Sequence, residues 1–189
     1  MVPVLSLWLP ILVSAVFVFV ASSIIHMVLR YHRNDLRRLA REDEVMAALR
    51  PFDIPPGDYC LPRAESMAAM KQPEYIDKMN KGPVALITVI PSGPPSMGAS
   101  LVLWFVFCLL VSILAAYVAG HFIPPGPEHY RPVFRLVGCT AFAAYSMALL
   151  QNSIWYKRNW GVTLLSMFDG LIYAALTAGT FGWLWPLSP

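Results

Sequence analysis

"KGPVALITVIPSGPPSMGASLVLWF", residues 81–105, decides the fold. After Lys81 no Asp, Glu, Lys or Arg occurs until Glu128, yet "IPSGPPSMG" and "FIPPGP" interrupt the apolar run. "VALITVI", residues 84–90, is too short to cross a bilayer, which takes about 20 apolar residues of helix. Its β-branched character and the closing Pro91 predict a strand. The competing reading, a re-entrant dip over residues 83–98, would need its backbone shielded by protein or water. "PSGPPSMG" matches neither the P-loop nor the dinucleotide-binding pattern. It reads as a stiff proline-rich linker that aims the chain into the membrane.

Working outward, the charges are few and clustered. Of 189 residues 57% are hydrophobic and 13% charged, against about 25% charged in a soluble domain. Residues 1–29, 82–127, 136–156 and 170–189 carry no charged side chain, whereas residues 33–81 carry nine basic and nine acidic ones. The net charge of +3 therefore has no unopposed basic face behind it, and no nucleic-acid partner is expected. Three cysteines, Cys60, Cys108 and Cys139, without Cys-x-x-Cys spacing exclude a disulfide framework and a thiolate zinc site.

Four segments have the length and polarity of spanning helices: residues 10–30, 100–120, 133–155 and 162–185. Pro10 is tolerated in the opening turn of the first, and the prolines of "HFIPPGP" end the second. "WYKRNW" between the last two has the aromatic and basic character of an interface belt. The first segment lacks a basic leader and is longer than a signal-peptide core, so an uncleaved anchor is expected. Twelve of the fourteen Lys and Arg lie in the loop after the first span or the turn after the third. The positive-inside rule then places both termini outside and the loop in the cytoplasm, as in a bacterial inner-membrane protein.

The expected fold class is an all-α membrane protein, a four-helix transmembrane bundle with a small α/β cytoplasmic insert between the first and second spans. Its divisions are residues 1–30, the insert and linker over 31–99, and the three further spans over 100–189. Within the insert "GDYCLP" is a second strand candidate, and "REDEVMAALR" and "QPEYIDKMNKG" predict helices, the latter with Pro73 near its start and Gly82 beyond its end. An insert of this size is marginal alone.

Asp169 is the most informative residue. It lies seven residues into the fourth span, about 10 Å below the interface, where a carboxylate is costly and needs a partner. Depth matching along antiparallel spans brings His26, Gln151, Asn152 and Ser166 near it, a candidate intramembrane pocket with Asp169. A functional pocket would be a proton relay or the floor of a ligand site; a structural one would be an interhelical tie beside Gly170. His26 and His121 fall at opposite faces and cannot share a haem, and His32 and His129 read as loop residues. No cofactor or metal is expected, His121, Glu128 and His129 reading as solvated. The arginine-rich "YHRNDLRRLAR" reads as a stop-transfer flank.

Small residues recur four apart: Ala116 with Gly120, Ala144 with Ala148, Gly170 with Ala174, Ala175 with Gly179 and Ala178 with Gly182. Such faces let helices pack closely on one another, on a membrane-protein partner or on a second copy of the chain. No nucleophile motif such as GxSxG is present. The leading expectation is thus a non-enzymatic accessory or assembly subunit of a membrane complex, lying in the lipid bilayer. A small proton-coupled carrier using Asp169, and a membrane enzyme acting on a lipid or quinone, are the alternatives.

Overall fold

The charge-free segments become the long helices of the structure, a computed structural model that describes residues 1–187. Four helical stretches are long and apolar enough to span a membrane: Val4–Met27, Met97–Phe122, Pro127–Ile154 and Trp160–Trp183. Their length and composition identify a multi-pass integral membrane protein.

The first stretch is a 3-10 turn followed by α1, Trp8–Met27. Between it and the second lie α2 (Glu42–Leu49), β1 (Gly57–Leu61), α3 (Pro73–Lys81) and β2 (Ala85–Val89). The second is α4, Met97–Phe122, which begins three residues before the predicted start, just after the last proline of the linker, Pro95. The third is broken into α5 (Tyr130–Ser146), a 3-10 turn (Met147–Leu149) and α6 (Leu150–Ile154). The fourth is α7, Trp160–Trp183. Asn159 caps it, its Oδ1 accepting the Gly161 amide at 2.8 Å and so satisfying one of the orphan donors of the first turn.

The chain divides into two compact units, one of Met1–Leu36 with Ser96–Pro189 and one of Arg37–Pro95. In the first, α1 packs on α4, α4 on α5, α5 on α7 and α7 back on α1, closing a ring of four helices. One end of the ring has an aliphatic and alanine-rich core that includes Leu7, Ile11, Ala115, Ala119, Val133, Val137, Ala178 and Phe181. The other has Ala15, Val18, Cys108, Ala141, Tyr145 and Tyr173.

The small residues explain how closely these helices approach. Ala116, Gly120, Gly170, Ala174 and Ala178 are all buried inside the ring. Only Ala175 with Gly179, among the four-apart pairs, has an exposed member and open space at its glycine. At Gly120 the contact is with backbone: the Val2 amide donates to the Gly120 carbonyl at 2.8 Å, and a Cβ at residue 120 would run into the Val2 carbonyl oxygen.

In the second unit β1 and β2 pair antiparallel, with Tyr59 opposite Ile87 and Asp58 opposite Thr88. "VALITVI" is therefore a strand of a sheet, not a re-entrant segment. Alternation places Tyr59 and Ile87 on the half-buried side, while Thr88 Oγ1 donates to Asp58 Oδ1 at 2.6 Å on the exposed side. No residue of this unit is buried, as expected where two strands and two short helices have too little surface to cover one another.

Gly120→Ala tests the closest of these approaches. It forces the N-terminal segment off α4 and lowers stability by about 1–3 kcal/mol, read as a fall in the unfolding midpoint in mild detergent. Gly179→Ala, where a Cβ meets nothing within 4 Å, leaves the midpoint unchanged.

Candidate functional site

A carboxylate within a bilayer-spanning helix must find donors, and the structure shows which ones Asp169 finds. Its side chain is 3% exposed, at the end of the ring where α1 finishes and α7 begins. Oδ1 accepts from Tyr31 Oη at 2.5 Å, and Oδ2 meets His32 Nε2 at 2.6 Å. On its other side His32 Nδ1 meets Asp35 Oδ2 at 2.8 Å.

These partners come from residues just past α1. The helix stops at Met27, Leu29 is extended, and a 3-10 turn over Arg30–His32 follows. The turn sets His32 against His26, with ring centroids 4.6 Å apart and planes tilted by 41°, and against Tyr31, at 4.4 Å and 42°. His32 is thus not the solvated loop residue that its place in an arginine-rich flank suggests; its side chain is only 8% exposed. Had α1 continued as a regular helix, His32 would have run on away from Asp169.

The chemistry of this trio is constrained by hydrogen count. A neutral imidazole carries one N–H, yet His32 faces a carboxylate at each ring nitrogen. One contact is satisfied by that N–H; the other requires a further proton, or a metal cation in its place. Tyr31 is a secure donor to the second Asp169 oxygen. Burial first, and the hydrogen bond to Asp169 second, push its phenol from the usual value near 10 to about 12.

Beside Asp169 lies a cavity of about 390 Å3. Trp104, Phe107, Tyr145 and Tyr173 supply its aromatic wall, and His26, Ser166 and Asp169 its polar groups. The rings brace one another edge-on: Tyr145 and Tyr173 lie 5.6 Å apart at 73°, and Phe107 and Tyr145 5.6 Å apart at 82°. Trp104 is fixed by donating from Nε1 to Ser22 Oγ at 2.7 Å. Among the described residues, the buried side-chain polar atoms that lack a hydrogen-bond partner are Tyr145 Oη and Tyr173 Oη. The Cys108 thiol is near Tyr145, but sulfur is a weak partner.

Close contact between α5 and α7 shapes this region. Gly170, next to Asp169, accommodates Ser146: a Cβ there would collide with Ser146 Oγ, which donates to the Met167 carbonyl at 3.3 Å. Of the residues expected at the site, His26, Ser166 and Asp169 line the cavity, and Gln151 and Asn152 do not. Gln151 is exposed and Asn152 half-buried. The reason is the 3-10 turn at Met147–Leu149. Each 3-10 residue advances about 120° instead of about 100°, so three of them rotate the following residues by roughly 60° from the expected face.

The spacing His26, His32, Asp35 was a legible signal for the residues that sequence reasoning passed over, an acid three positions after a second histidine. Two of these, with Asp169, meet a geometric condition for metal ligation: one ligand atom each from His26, His32 and Asp169 lies within 4.8 Å of the others. His121 instead stacks on Tyr117, and His129 Nε2 pairs with Glu128 Oε1 at 3.1 Å.

A double-mutant cycle measures the central contact. Asp169→Asn and His32→Gln each lower stability in detergent. The double variant loses less than their sum by about 0.5–3 kcal/mol, whereas strict additivity would mean that the two side chains do not interact.

No family model, curated protein or solved structure matches the chain.

Proposed function

We propose that this membrane protein binds a small, largely apolar molecule bearing one or two oxygen acceptors, of lipid or quinone type, in the aromatic cavity. The oxygen-bearing end meets Tyr145 and Tyr173 beside Asp169, the placement that an enzyme acting on a lipid or quinone needs. One observation carries this reading: among the described residues, two buried tyrosine hydroxyls lack a hydrogen-bond partner, and both belong to side chains that contribute to the cavity wall. An unsatisfied buried hydroxyl costs about 1–3 kcal/mol, and a ligand acceptor removes that cost. Apolar, aromatic walls with a few convergent polar groups are also what small-molecule sites share.

The membrane orientation proposed with it has both termini outside and residues 33–81 in the cytoplasm of a bacterial inner membrane, supported by the distribution of Lys and Arg. Reporter fusions at residues 33–81 give a cytoplasmic signal; a signal from outside the cell overturns this orientation.

A carrier using Asp169 is the second reading, supported by the carboxylate lying in the cavity wall. It differs in requiring that Asp169→Asn abolish transport with folding intact. A role as accessory subunit draws on the outward-facing Ala175 and Gly179. Co-purification of a stoichiometric membrane partner supports it, and a monodisperse monomer counts against it.

The test of the leading reading uses Tyr145→Phe combined with Tyr173→Phe, which keeps the rings and removes the hydroxyls. Wild-type protein purified in mild detergent yields a near-stoichiometric small molecule on extraction and mass spectrometry, and the double variant retains at least tenfold less. Stripped of that molecule, the double variant is more stable than wild type by about 1–3 kcal/mol. A loss of stability would mean that the hydroxyls have partners after all.

A further inference from the structure

Asp169 and His32 are held as metal ligands are held. In metal sites the histidine's second nitrogen donates to a carboxylate, and the ligating carboxylate is itself hydrogen-bonded, so that both ligands are fixed in orientation. Here Asp35 takes the Nδ1 side of His32 at 2.8 Å and leaves Nε2 facing Asp169. Tyr31 takes Oδ1 of Asp169 at 2.5 Å and leaves Oδ2 facing His32. The third ligand, His26, has its ring tilted against that of His32 and, among the described residues, makes no side-chain hydrogen bond that would have to break.

We propose that His26, His32 and Asp169 bind a first-row divalent transition metal ion of the Zn2+ type, with Asp35 and Tyr31 orienting the ligands and a coordination position left open on the cavity side. Two imidazoles and one carboxylate suit zinc or iron(II) and are poorly matched to calcium or magnesium, which take oxygen ligands. With bonds of about 2.0–2.2 Å, tetrahedral ligand atoms stand about 3.3 Å apart. His32 Nε2 and Asp169 Oδ2 must therefore open from 2.6 Å. His26 must close from at most 4.8 Å. Both changes are within reach of side-chain rotation at a site whose backbone is already in place.

The cation also answers the hydrogen count, since it takes the place between Nε2 and Oδ2 where a neutral imidazole has no second N–H. His26 and Asp169 both line the cavity, so a fourth ligand enters from there. Three protein ligands with one open position is the pattern of catalytic rather than structural zinc. The inference goes beyond the proposed lipid or quinone site and does not depend on it, because the ion is held by protein side chains alone.

The experiment measures metal binding directly. The full chain, purified in mild detergent and freed of metal with a chelator, is titrated with Zn2+ by equilibrium dialysis, and separately with Co2+ by visible absorption. One ion binds per chain. His26→Ala weakens binding at least 100-fold while leaving the His32 and Asp169 contact and the unfolding midpoint in place. Asp35→Asn, which spares every ligand, weakens it about 10- to 100-fold. A control with His121→Ala and His129→Ala, and the Tyr145→Phe, Tyr173→Phe protein, bind as wild type does. Absence of saturable one-to-one binding, or binding that survives His26→Ala unchanged, overturns the proposal. The phenylalanine variant separates the two readings, since it loses the cavity molecule and keeps the ion.

Discussion

The fold depends on a single constraint, the need to satisfy a carboxylate placed in an apolar helix. Burying Asp169 without donors would cost several kcal/mol, and no side chain of α7 donates to it: the Ser166 hydroxyl turns to the Val162 carbonyl instead. The donors come from just past the end of the neighbouring helix α1, Tyr31 and His32. Bringing them there requires α1 to end at Met27 and the chain to reverse through an extended Leu29. It also requires α5 to lie close on α7, which Gly170 permits and Ser146 uses. The polar centre and the helix packing around it are thus one arrangement.

The two ends of the bundle differ in kind. At one end alanines and aliphatic side chains interlock, and the polar groups among them are satisfied, Trp185 donating to the Pro124 carbonyl and Thr177 and Thr180 to carbonyls one turn back. At the other, aromatic rings meet edge to face and stand off enough to enclose a cavity. Packing to full density would exclude such a space, and two unpartnered hydroxyls in its wall are a local cost.

Particular residues show how far reading along the chain could go. Pro91 after a β-branched run marked the strand, and Pro73 with Gly82 bracketed α3, because turn and cap chemistry is local. Asp169, His26 and Ser166 were legible as neighbours within about a turn in depth, because depth in the bilayer follows from counting residues along straight helices. Gln151 and Asn152 were placed by the same count and missed the cavity, because a 3-10 turn rotates everything after it. His32 and Tyr31 were not placed by it, since they lie past the end of α1, outside the stretch over which residues can be counted along a straight helix.

The sequence by itself determined how many times the chain can cross a bilayer, where the small residues fall, and that one acid would need shelter. These are properties of composition read along one dimension, against a solvent that rejects charge. Only the tertiary structure decided which groups provide the shelter, how they face one another and where the cavity opens. Those depend on the angular phase of each helix and on short departures from regular geometry, at Leu29 and at Met147–Leu149. Such departures cost little locally, and long-range contacts select them.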